Sequence, residues 1–278
     1  MRPPNLTLIE DTLYVVDATI GMSKYDMEFT HHFACSHPTQ LDGEIVAVAR
    51  LGAAPDYAAR YEALLEWGVR LIHSPEEYER ASLLPRWYPL LEGLTPQSHW
   101  FEAPPEAAQI EALLTCYPIF LKGERQTSRH SREQSIIEGP AQLRRVLGEW
   151  GADPILGWQR VVARQYLALR PVGRDLGAGL PHVFEFRSFW WRGQCVGIGP
   201  YWSTPPYALG ARERVEALAL GAEAARRVDV PFLVLDLAQT VDGEWVVIEC
   251  NDGQDSGYMG VDRVQLWRRI VEIERSRA

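Results

Sequence analysis

The chain has 278 residues, 46% of them hydrophobic and 23% charged, which suits one large globular domain or two lobes sharing a cleft. A net charge of −9 argues against broad, sequence-independent binding to nucleic acid or anionic membranes, while a local basic groove stays compatible with it. The four cysteines form no C-x-x-C pair, no secretory leader is evident and no apolar run approaches a membrane span, so a cytoplasmic protein without a membrane partner is expected.

The first fifty residues read as short strands, with apolar runs at Leu13–Val16 and Ile45–Ala49. His31, His32, Cys35 and His37 crowd one loop, but their spacing matches no common zinc module and a second ligand pair is missing, so a polar loop is expected. A helix from Pro55 to about Trp67, a strand Val69–His73 and a well-capped helix from Ser74 suggest a small α/β lobe built on a parallel sheet. Prolines between Leu84 and Pro96 and at Pro104-Pro105 mark connections between lobes.

Beyond them come a helix Pro105–Cys116, a strand Tyr117–Lys122 and a polar loop carrying Arg125, Arg129, His130 and Arg132. Arginine forks in such a loop suit phosphate or carboxylate, although a solvated basic loop would look the same. A helix from Gly139 to Trp150 precedes a strand Val161–Leu169. Strands His182–Trp191 and Gln194–Tyr201 form a hairpin around Arg192-Gly193, and period-two alternation sets Glu185 and Arg187 on one face and Phe184, Phe186 and Trp190 on the other. A simple Glu185–Arg187 pair is the bland reading of that face. Long helices are expected at Ala208–Val228 and Val261–Arg275.

Between those helices, Phe232–Leu237 and Trp245–Cys250 flank Asp242-Gly243, the strongest short-range hairpin signal, because a type I′ turn needs positive φ at both central positions. Counting back from that turn sets Asp236 opposite Glu249, with Asn251 on the same face. Two opposed carboxylates in apolar strands repel and cost desolvation. A divalent cation removes that cost, and Asp, Glu and Asn oxygens are ligands Mg²⁺ takes when shared with substrate phosphates. A solvated edge hairpin or one protonated carboxyl is the alternative.

Asp236, Glu249 thirteen positions on, Asn251 two further and a glycine-containing loop after it resemble the metal-binding hairpin of the ATP-grasp superfamily, and the chain looks most like its amidoligase-like branch. The likeness runs from about Val69 to the C-terminus. It implies an α/β (α+β) ATP-grasp fold: an N-terminal α/β lobe over residues 1–100 and an ATP-grasp domain over 101–278, whose central lobe (about 105–168) and C-terminal lobe (about 169–278) clasp ATP. It further implies ATP and Mg²⁺ as cofactors, with Asp236, Glu249 and Asn251 on the metal and Lys122 and Arg187 on the phosphates as the catalytic pair. Arg129, Glu185 and Gln165 would also meet the nucleotide, and the main chain of Tyr166 and Leu167 would hold adenine. Arg86 is the candidate for the lysine that relatives place before the central lobe.

Asp252, Asp255, Ser256 and Gly257 would form the loop that holds the second substrate, the two aspartates selecting a cationic amine. The implied activity joins a carboxylate to an amine, free or in a peptide, through an acylphosphate; no general base is evident. A nucleotidyl transferase of the nucleic-acid ligase type (from Lys122-Gly123) and a non-catalytic ATP-binding sensor are the alternatives. The acid, the amine and the oligomeric state are left open.

Overall fold

Three sheets follow one another along the chain. The computed structural model describes residues 4–17, 27–50, 56–125, 131–173 and 179–277. The first sheet holds β1 (Leu6–Ile9), β2 (Leu13–Asp17), β3 (Cys35–Ser36), β4 (Ile45–Arg50) and β5 (Val69–Leu71), in the order β3-β1-β2-β4-β5. The expected parallel pairing holds for β2, β4 and β5, where helix α1 (Tyr57–Leu65) crosses between β4 and β5. It fails for β1, because Glu10 and Asp11 take positive φ (52° and 50°) in a tight turn that sends the chain straight back as an antiparallel partner. Helix α2 (Pro75–Ser82) starts as its sequence predicts: Ser74 Oγ accepts from Glu77 N–H at 3.2 Å and Glu77 Oε2 from Ser74 N–H at 2.7 Å.

A short helix α3 (Leu84–Trp87) lies inside the proline-rich connection. The central sheet contains β6 (Ser98–Phe101), β7 (Ile119–Gly123), β8 (Ile136–Ile137) and β9 (Val161–Gln165), in the order β6-β9-β7-β8. Helices α4 (Ala107–Glu111), α5 (Arg132–Ser135) and α6 (Pro140–Glu149) accompany it. Leu143, Val146 and Leu147 of α6 pack with Ile119, Leu121, Val161 and Ala163 of β7 and β9. The helix expected to reach Cys116 stops at Glu111.

The last sheet runs β11-β10-β12-β13, with β10 (Glu185–Trp191), β11 (Gln194–Pro200), β12 (Phe232–Gln239) and β13 (Trp245–Asp252), all antiparallel. Every residue of β12 is buried, because both its faces are covered. Leu233, Leu235 and Leu237 meet helix α7 (Ala211–Val228) in one cluster. Phe232 and Val234 meet helix α8 (Arg263–Arg275) and Ile9, Val15 and Val48 of the first sheet in another, which seats the N-terminal lobe on the C-terminal one. Asp236 is the next residue along that second face. No helix among the described residues is long and apolar enough to cross a membrane.

The two hairpins turn differently. Arg192 and Gly193 both have positive φ (46° and 77°), the pair a type I′ turn requires. At Asp242-Gly243 only the glycine does (89°), and Thr240 pairs with Glu244 around a longer turn, Gly243 N–H donating to Thr240 O at 3.0 Å. That puts Gln239 opposite Trp245, one residue off the expected register, until a bulge between Leu237 and Asp236 restores it. The pairing of Asp236 with Glu249 is therefore as expected, reached through two compensating irregularities.

Candidate active site

Three adjacent strands bring one charged row together. Arg187 on β10 pairs in register with Asp236 on β12, which pairs with Glu249 on β13. Arg187 Nε donates to Asp236 Oδ1 at 2.8 Å and Nη2 to Oδ2 at 2.7 Å, a bidentate fork. Its Nη1 donates to Gly257 O at 3.0 Å. Across the cleft, Lys122 on β7 donates from Nζ to Glu249 Oε1. Glu185 lies on the same face as Arg187, and Asn251 sits two residue pairs beyond Glu249, opposite Val234.

Burial sets the electrostatics of this row. It pushes the Asp236 carboxyl up, an effect that the Arg187 fork opposes without overcoming. At Glu249 burial acts the same way, but Lys122 and Arg187 outweigh it and hold the carboxyl low. Glu185 is pushed well up by burial and by Asp236, with Arg187 and a hydrogen bond from Trp202 only partly relieving it. Asp236, Glu249 and Asn251 offer oxygen donors that a shared divalent cation would take, and its charge would relieve the carboxyls that burial still holds high. No group of three His, Cys, Asp or Glu side chains arranged for a metal occurs among the described residues. The third donor expected here is an amide, and an all-oxygen set suits Mg²⁺.

From this row a cavity of about 450 Å³ extends between the central and C-terminal sheets. Phe120, Ile136, Leu169, Val183 and Trp202 give it apolar walls, and Lys122, Glu185 and Glu249 lie at its polar side. Tyr166 and Leu167 line it where the chain passes between sheets: Gln165 N–H is used by Gln97 O at 2.8 Å and Ala168 O by Val241 N–H at 2.9 Å. The side chain of Gln165 is exposed. Arg129 and His130 lie outside the described residues.

One residue takes a different place from that expected. Arg86 is exposed and pairs with Glu79 at 3.2 Å. A buried cation of the central lobe is Arg164 on β9, donating from Nη1 to Ile248 O at 2.5 Å and from Nη2 to Thr95 Oγ1. Burial lowers its pKa to about 10, with Glu249 nearby acting the other way. Ile248 is the residue the β13 bulge leaves over, so Arg164 holds the irregularity that turns Glu249 toward the cleft. A charged residue inside the run VVARQ was the signal available in the sequence.

The loop after Asn251 divides its two aspartates. Asp252 is fully buried, its Oδ1 2.9 Å from His73 Nδ1 and 3.0 Å from Gln254 N. Phe232 N–H donates to His73 Nε2 at 2.9 Å, which leaves the ring proton on Nδ1, facing Asp252. This carboxylate is turned away from any substrate and binds the N-terminal lobe to β12 and β13. Gly253 permits the close approach, since a Cβ there would lie 2.4 Å from the Phe232 ring. Ser256 turns back onto Asp252 O at 2.7 Å. Asp252→Asn is expected to cost about 1–3 kcal/mol in stability and to leave the acceptor KM unchanged. Urea denaturation beside steady-state kinetics checks this; a raised KM at wild-type stability would put Asp252 back at the substrate.

Comparison with known proteins agrees with this geometry. Residues 77–270 match the family described as "ATP-grasp domain, R2K clade family 3". The chain belongs to the ATP-grasp superfamily, in that R2K family. No curated protein matches the sequence. Among solved structures, the VanG D-Ala:D-Ser ligase of Enterococcus faecalis is similar at a TM-score of 0.58 and 15% identity, over 82% of this chain and 72% of that one. A RimK-domain ATP-grasp protein of Sphaerobacter thermophilus gives 0.56 and 14%, over 83% and 78%. The ATP-grasp ligase PsnB, complexed with a minimal precursor, Mg and ADP, gives 0.54 and 14%, over 87% and 82%. At such identities the likeness establishes the ATP-grasp fold, and the chemistry has to come from the site.

Proposed function

We propose that this ATP-grasp protein is an ATP- and Mg²⁺-dependent ligase that joins a carboxylate to an amine through an acylphosphate. The observation that carries the reading is the row Arg187–Asp236–Glu249, met by Lys122 from the opposite lobe at the polar side of an apolar cavity. The cavity suits a nucleoside, with Tyr166 and Leu167 main chain available to its base. Asp236, Glu249 and Asn251 would hold Mg²⁺, which would supply positive charge to offset that of the phosphates.

The chain's own residues do the rest by position and charge. Lys122 and Arg187, on either side of the carboxylates, oppose the negative charge that spreads over the phosphoryl group as it moves to the acid. Arg164 keeps the β13 bulge in place and so aims Glu249. The PsnB structure, with its precursor, Mg and ADP, supports a peptide or amino-acid substrate pair and the Mg²⁺ assignment. Four unpaired cysteines support a reducing, cytoplasmic setting.

The test is ADP release and hydroxamate formation when protein, Mg-ATP and hydroxylamine meet a panel of amino acids and short peptides. Acid-dependent ADP with hydroxamate is the expected result. ATP binding with no ADP from any acid would favour a sensor. A Lys122–AMP adduct would favour nucleotidyl transfer, a reaction disfavoured by a lysine whose Nζ is held by Glu249.

A further inference from the structure

The loop from Gly253 to Gly257 is fastened by guanidinium groups from two lobes. Arg50, the buried last residue of β4, donates from Nη1 to Gly253 O and Gln254 O, each at 2.9 Å, and from Nη2 to Ser256 O at 3.2 Å. Arg187 takes Gly257 O at 3.0 Å. Gln254 adds two bonds to the N-terminal lobe, accepting from Ala49 N–H at 2.9 Å and donating to Tyr57 Oη at 3.0 Å. The backbone on both sides of Asp255 is thereby fixed, and the guanidinium that holds one end also forks Asp236. Asp255 lies two residues from that contact, at most about 7 Å along the chain.

Its side chain differs from that of Asp252. It stays partly exposed, and the Tyr78 hydroxyl of α2 hydrogen-bonds it. Tyr78 has little freedom. Its ring stacks on Tyr57 with centroids 3.9 Å apart, and its hydroxyl accepts from Arg125 Nη1 at 3.2 Å. A partly exposed carboxylate is therefore held within about 7 Å of chain from the residue that Arg187 anchors, and nothing in the mechanism above uses it.

We propose that Asp255 binds the ammonium group of the acceptor and takes its proton. The assignment rests on the ligase reading and supplies the general base that the sequence did not reveal. A protonated amine has no lone pair to attack with. One N–H proton passes to the Asp255 carboxylate, and the freed pair forms the bond from nitrogen to the acyl carbon. The bond from that carbon to the phosphate oxygen breaks, its electrons leave with phosphate, and phosphate carries away the second N–H proton. Asp255 then returns its proton to solvent. Tyr78 is a positioning residue in this scheme.

The charges around Asp255 suit the task. Burial and Asp252 raise its pKa to about 8, while Tyr78, Arg50 and Arg125 pull the other way. Tyr57 on α1 also faces it. A carboxyl so raised keeps its proton below that pH and loses it above, so amide formation should climb through the same range.

The experiment compares Asp255→Asn with the wild type, both as full chains with Mg-ATP and a mixture of the twenty common amino acids serving as acids and amines. Hydroxylamine, neutral at pH 7, is added in excess as the competing acceptor in a parallel assay. Amide formation should fall about 100-fold in the variant, while hydroxamate formation stays near wild type. The rise of amide formation near pH 8 should disappear in Asp255→Asn and move to higher pH in Tyr78→Phe, which lacks the bond that lowers the Asp255 pKa. Amide and hydroxamate falling together, or neither falling, would overturn the role of Asp255 and leave the ligase reading intact. Wild-type hydroxamate with no amide from any amine would overturn the ammonium acceptor. Wild-type protein making neither ADP nor hydroxamate would overturn the ligase reading itself, and this assignment with it.

Discussion

Lys122→Met is expected to reduce acid-dependent ADP formation by about 10²–10³-fold with much smaller damage to the fold. The lysine side chain is 5% exposed and its ammonium spans the cleft to Glu249, whose side chain is 20% exposed. Methionine keeps an unbranched stem of similar reach in the same slot, so the packing around β7 changes little. What is lost is the positive charge facing both the Glu249 carboxylate and the transferring phosphoryl. The stability cost should stay near about 1–2 kcal/mol, because water can reach the partner left behind. Lys122 also competes with a metal for Glu249, so the variant should bind Mg²⁺ no more weakly than wild type in the absence of nucleotide. Single-turnover ADP release, urea denaturation and metal titration separate these effects. Wild-type turnover in Lys122→Met would remove the residue from the phosphate site.

The parts of the protein legible in its sequence were those set by local rules. Ser74 and Glu77 announce their capping box, Arg192-Gly193 announces its turn, and alternation along β10 puts Glu185 and Arg187 on one face. The register of the second hairpin was reached by a rule that did not apply, since Asp242 does not adopt positive φ. A bulge at Ile248 cancelled the error, and no local signal marks that bulge: the carbonyl it exposes is satisfied by Arg164, from a strand more than eighty residues earlier. Asp252 and Asp255 show the same limit. Two acids three positions apart in a polar-looking loop read alike, and only long-range partners divide them: His73 for one, Tyr78 for the other. Side strand β6 and helix α3 were hidden by the prolines around them, which read as connection.

Arg187→Lys is expected to lower both stability and activity, for reasons that a double variant can separate. Arginine makes three bonds here, at 2.8, 2.7 and 3.0 Å, two to the carboxylate of Asp236 and one to Gly257 O. A lysine ammonium on a flexible stem cannot match that planar fork, and Asp236 is 1% exposed, so water does not replace the missing donors. Breaking a buried pair of this kind costs about 3–5 kcal/mol. The retained charge should keep the loss for lysine toward the lower end, whereas Arg187→Met should show all of it. Ligation should fall by at least about 10²-fold in both, because the loop carrying Asp255 loses its anchor at Gly257 and the phosphoryl group loses a cation. In the pair Arg187→Met with Asp236→Leu no buried charge remains unpartnered on this row's central strand, and apolar replacements of buried ion pairs are often neutral or stabilising by about 1–4 kcal/mol. The double variant should therefore regain most of the stability lost by Arg187→Met and none of the activity. Urea midpoints beside ADP release give both readings. Activity returning with stability would mean that the pair serves only to hold the sheet, and the catalytic assignment of this row would fail.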